Sequence, residues 1–95
     1  MPMVNCENQK AAIHALPRGP APVEDRRMTL EYQCREPANY SSTLKGVGKG
    51  KDRQGGTIAT FALCENHNQL FQMVDAELVE DGWAPAYMGK KPVAI

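Results

Sequence analysis

The chain lacks any long hydrophobic run. Its uninterrupted apolar stretches reach only a few residues, far short of the about 20 that a membrane-spanning helix needs. The start, MPMVNCENQ, has no basic segment leading into an apolar one, so neither membrane insertion nor secretion is expected and the expected compartment is the cytoplasm. An excess of charge of one sign is missing too. Eleven Lys and Arg offset eleven Asp and Glu, which removes any global field that would steer the chain toward nucleic acid or an anionic membrane. Aromatics are sparse, with one Trp, three Tyr and two Phe. Cysteine is scarce as well: Cys6, Cys34 and Cys64 are odd in number and too few for a disulfide framework. The thiols are therefore expected to be free or metal-bound.

What is present suits one small folded unit. At 95 residues, 42% of them hydrophobic, the chain has material for one core and not for two. Residues 7–16, ENQKAAIHAL, place Ala12, Ile13 and Leu16 at helical spacing, with Asn5 as the expected cap, and predict a short helix ending before Pro17. Pro17, Gly19, Pro20 and Pro22 predict a stiff connector. Residues 1–23 then form an N-terminal arm and Pro-rich connector, and residues 24–95 a single core domain.

Within that core, Met28, Leu30, Tyr32 and Cys34 alternate with Thr29, Glu31 and Gln33, the period-2 pattern of a half-buried strand. Residues 39–46 predict a more polar edge strand, and residues 57–64, apolar on both faces, a central one. Leu70, Phe71, Val74 and Leu78 share one stripe of a helix over 68–82, with Gly82 as its stop and Trp83 packed back over its end. The tail after Trp83 is expected to add a short strand or to lie on the surface. The expected fold class is α+β: a small antiparallel sheet of about three strands packed by one amphipathic C-terminal helix, with a short N-terminal helical arm. The apolar end from Pro92 to Ile95 would allow self-pairing, so the oligomeric state stays open.

The sharpest local pattern is Cys64-Glu65-Asn66-His67, a C-x-x-H where a strand gives way to a helix. A turn at such a junction lets two side chains converge on one ion while the helix holds them. In a simple meander, Cys34 falls at the same end of the sheet as Cys64, about 10 Å away. Cys34, Cys64 and His67 are then three candidate ligands, and the arm completes a zinc site with Cys6, as Cys3His, or with His14, as Cys2His2. The layout over residues 34–83 resembles short zinc-ribbon or treble-clef domains, but it has one knuckle where those have two, and no family assignment follows. The leading reading is that no cofactor is bound and that Cys34 and Cys64 are buried thiols acting as small hydrophobes. A third reading makes Cys64 a nucleophile with His67 as its base. The sequence nominates neither an orienting group nor an oxyanion site for it.

Two charged features remain. Between Lys45 and Gly56 the basic residues Lys45, Lys49, Lys51 and Arg53 outnumber Asp52 in a glycine-rich stretch that fails the spacing of a P-loop. From Glu65 to Asp81 there are five acids and no Lys or Arg. No paired acids, nucleophile motif or cofactor loop supports an enzyme. The expected function is that of a non-catalytic regulator or inhibitor, of the kind phages and other mobile elements encode, docking on another protein through Asp75, Glu77, Glu80 and Asp81. Met73, Trp83, Tyr87 and Met88 are its expected apolar anchors. The alternative is a zinc-stabilised module contacting nucleic acid through Lys45, Lys49, Lys51 and Arg53.

Overall fold

The computed structural model describes residues 4–17, 23–47 and 56–93. Along the chain the elements are α1 (Asn8–Ala15), α2 (Glu24–Glu31), β1 (Tyr40–Lys45), β2 (Ile58–Leu63), α3 (Glu65–Glu80) and β3 (Tyr87–Pro92). The fold is α+β, with an antiparallel sheet in the order β2-β1-β3. Helix α1 rests against β1 and β2, α3 against β1 and β3, and α2 packs on both helices. Among the described residues no helix is long and apolar enough to cross a membrane.

The alternating segment around Met28 is a helix, not the strand its period suggested. Residues 24–31, EDRRMTLE, are mostly good helix formers. Glu24 and Asp25 fall in the first turn, where the helix dipole favours acids, and Arg27 Nε lies 3.3 Å from Glu31 four residues on. Only Leu30 in α2 is buried, while Met28 is 66% and Tyr32, just past the helix, 54% exposed. Two exposed apolar residues had supplied half of the apparent alternation.

The two remaining expected strands exist but exchange places. Polar β1 is central and apolar β2 is at an edge. The centre tolerates Ser42 because its hydroxyl, completely buried, donates to Asn68 Oδ1 on α3 at 2.6 Å. Leu44, two residues on, is buried on the same face. The third strand is β3, drawn from the tail, so α3 is not the last element of the chain. It pairs with β1 through a register irregularity between Thr43 and Leu44.

Helix α3 starts three residues before its expected first position, because Cys64 caps it: the His67 N–H donates to Cys64 Sγ at 3.4 Å. Its end follows the expected stop. Gly82 takes φ +103°, its N–H reaches the Val79 carbonyl at 3.0 Å, and the Trp83 N–H reaches the Leu78 carbonyl at 2.8 Å. Trp83 is buried against the core. Phe71, Val74 and Leu78 bury the expected stripe, and Leu70 is partly buried beside it. Helix α1 contributes Ala11, Ala12 and Ala15 to the same core cluster. Asn5 does not cap α1; the cap position is Glu7, with no side-chain cap bond, and Asn5 instead forms an isolated bridge with Pro37.

Candidate metal centre

Three chain segments meet at the start of α3. The first is the stretch before α1, held by backbone bonds from the Cys6 N–H to the Glu36 carbonyl at 2.8 Å and from the Ala38 N–H to the Val4 carbonyl at 2.7 Å. Glu7 fastens it to β2: its N–H reaches the Ala62 carbonyl at 2.6 Å, and its carboxylate accepts from the Ala62 N–H at 3.0 Å. The second segment leaves α2 and carries Cys34. Its path is set by Asn8, whose buried carboxamide donates to the Leu30 carbonyl and, at 2.6 Å, to the Tyr32 carbonyl. Those carbonyls belong to the end of α2, where helix geometry leaves acceptors without intrahelical partners. The third segment is the β2 to α3 turn, with Cys64 and His67 one helical turn apart.

These segments bring Cys6, Cys34, Cys64 and His67 together, all buried, with their four ligand atoms within 4.8 Å of one another. Cys64 Sγ lies 3.2 Å and Cys6 Sγ 3.6 Å from His67 Nδ1. In a tetrahedral zinc site, Zn–S of about 2.3 Å and Zn–N of about 2.0 Å place sulfur about 3.5 Å from nitrogen. The observed separations bracket that edge length. His14, the other sequence candidate for the fourth ligand, is elsewhere: its Nε2 is 3.1 Å from the Thr57 carbonyl oxygen and its ring packs on Phe61 at 5.3 Å. The meander that first paired Cys34 with Cys64 does not exist, since Cys34 follows a helix. The two converge nonetheless because the chain after α2 is pinned beside the α3 cap.

Burial dominates the electrostatics. It pushes the Cys6 thiol up to about 12, against smaller lowering effects of the Cys64 and Asn8 backbones, with the neighbouring Cys64 raising it further. It also pushes His67 below the ordinary histidine value, the Thr29 backbone acting weakly in the opposite sense. Burial thus favours a neutral Cys6 thiol and a neutral His67 imidazole, and a divalent cation would reverse that preference at the Cys6 sulfur while keeping the imidazole in its ligating form. The Cys64 sulfur sits at the N-terminus of α3 as its cap. A groove of about 470 Å³ opens beside Cys34, Cys64 and His67, and a smaller hollow of about 320 Å³ lies against Cys6 and Cys34.

The acidic residues expected to dock a partner divide into two pairs. Asp75 accepts the Ala86 N–H at 2.7 Å and Glu77 pairs with Arg26, so these two carboxylates bind the chain to itself. Glu80 and Asp81 are exposed at the end of α3. Of the expected anchors Met73 and Met88 are exposed, Tyr87 is half-buried and Trp83 is buried. Lys45 closes β1, with its N–H bonded to the Ala86 carbonyl at 2.6 Å. Lys49, Lys51 and Arg53 lie outside the described residues. Sequence reasoning passed over Asn8 and Tyr32. Asn8 had no signal beyond its place two residues after Cys6, and Tyr32 was absorbed into a strand that is not there. Comparison with protein-family models, with curated proteins and with solved structures finds no match to this chain.

Proposed function

We propose that the protein is a non-catalytic, zinc-stabilised binding domain whose partner is another protein. The observation that supports this reading is the convergence of three thiols and one imidazole, from three separate segments, into a cluster with tetrahedral zinc spacing. Four protein ligands fill a tetrahedral ion completely. Such closed sites stabilise folds, whereas catalytic zinc keeps a position for water or substrate. Cys6, Cys34 and Cys64 supply thiolates and His67 supplies Nδ1, which leaves Nε2 to be oriented by the backbone around Thr29. The ion ties the segment before α1 to the sheet and to α3, the kind of fastening that a chain of this size uses to supplement a small core.

The test is metal content by mass spectrometry under native conditions, followed by cobalt substitution and chelation. One zinc per chain is expected, with intense sulfur-to-cobalt charge-transfer bands in the near ultraviolet and cooperative unfolding when the ion is withdrawn. A metal-free chain that folds fully and takes up no added zinc or cobalt would overturn the reading.

A further inference from the structure

We propose that the groove beside the cysteine and histidine cluster receives a Lys or Arg side chain from the partner protein. Its volume of about 470 Å³ falls in the range of about 300–1,000 Å³ typical of sites for small ligands. That is room for one long side chain with its flanking backbone and too little for a domain face. Pro37 and Leu70 offer apolar wall for an aliphatic stem. Tyr32 stands in the lining with 54% of its surface open to solvent, and its ring meets His67 edge-on at 5.7 Å. An exposed aromatic face at the side of a groove is a platform for a cation.

Charge selects the occupant. Glu36 and Glu65 line the groove and no Lys or Arg does. Elsewhere in the fold Glu7, Glu31 and Glu77 each face a basic partner, whereas among the described residues neither Glu36 nor Glu65 has an ion-pair partner. A zinc ion held by three thiolates and a neutral imidazole would leave the adjoining centre with one formal negative charge. That last contribution rests on the zinc reading; the groove, its carboxylates and Tyr32 do not. The Asn39 and Asn66 carboxamides in the same lining add acceptors for an ammonium or guanidinium. An acidic peptide would meet the like charge of Glu36 and Glu65.

The experiment is an amide-resolved NMR titration of the zinc-loaded protein with the acetylated, amidated tripeptide Ala-Arg-Ala, with Ala-Glu-Ala as control. Saturable shifts centred on Tyr32, Asn66 and Leu70 are expected with the basic peptide alone. The double variant Glu36→Gln with Glu65→Gln should weaken binding about fivefold, and Tyr32→Ala about two- to fivefold. Glu80→Gln with Asp81→Gln should leave it unchanged. All of these positions are at the surface, and zinc content verifies that each variant is folded. Shifts that stay linear to about 20 mM, that follow Ala-Glu-Ala equally, or that centre on Glu80 and Asp81 would overturn the proposal. A zinc-loaded protein that ignores the peptide removes this inference alone. A zinc-free protein that binds it in the groove removes the metal reading alone.

Discussion

Cys6 Sγ and His67 Nδ1, 61 positions apart in the chain, lie 3.6 Å apart in the fold. The approach is enforced by backbone on both sides: Cys6 is paired to the Glu36 carbonyl, and His67 belongs to the first turn of a helix capped by Cys64. The sulfur is therefore delivered by the main chain, and the four side chains are held within metal-binding distance of one another.

Replacing Cys6 separates the two candidates for the fourth ligand. Cys6→Ser is expected to lower zinc affinity by at least about tenfold, because a hydroxyl remains protonated where a thiolate ligates. His14→Ala is expected to keep full zinc occupancy and to lose about 1 kcal/mol of stability or less, the worth of its Thr57 bond and Phe61 contact. Competition with a chromogenic chelator measures both. Equal zinc affinity in Cys6→Ser and the parent chain would remove Cys6 from the ligand set.

Much of this site was legible in the sequence, through chemistry more than through geometry. Cys64 and His67 announce themselves by spacing, and the type of residue required nominates Cys34 and Cys6. The route by which they converge was not legible, since it depends on α2, whose Met28 and Tyr32 imitate a strand, and on Asn8, an ordinary residue until its partners are known. The α3 stripe and its glycine stop were readable because helix periodicity and the left-handed stop are local properties. The order of the strands was not, because Ser42 is central only through a hydrogen bond to Asn68, 26 positions away. Hydropathy alone places a serine-rich strand at an edge.

Asn8 should be among the most sensitive polar positions. Its carboxamide is buried and donates to the Leu30 and Tyr32 carbonyls. Asn8→Ala leaves two acceptors at the end of α2 without this donor and is expected to cost about 1–3 kcal/mol. Asn8→Asp should cost more, since it turns a carboxylate toward carbonyl oxygens in a place closed to water. Urea unfolding of the three zinc-loaded proteins gives the ranking. An aspartate variant as stable as the parent would show that the amide is not the donor holding α1 to α2.

Tyr87 gives the fold a stability limit on the alkaline side. Its hydroxyl donates to Asn68 Oδ1 at 2.8 Å, and burial raises it above the ordinary tyrosine value, against smaller lowering effects of hydrogen bonds with Ser42, Asn68 and Gln72. In the unfolded chain the phenol ionises near its ordinary value of about 10. In the folded chain it keeps its proton to a higher pH. The folded state therefore binds more protons than the unfolded state above about pH 10, and stability falls as pH rises through that window. The contribution is whole below the ordinary phenol value and is lost as pH passes the raised one. Tyr87→Phe should be about 1 kcal/mol less stable at neutral pH, where the hydrogen bond is missing, and should fall less steeply with alkali, so that the two proteins approach each other above about pH 10. Urea unfolding of both zinc-loaded proteins between about pH 8 and 11 measures the difference in slope. Parallel curves would assign the alkaline loss to groups other than this phenol.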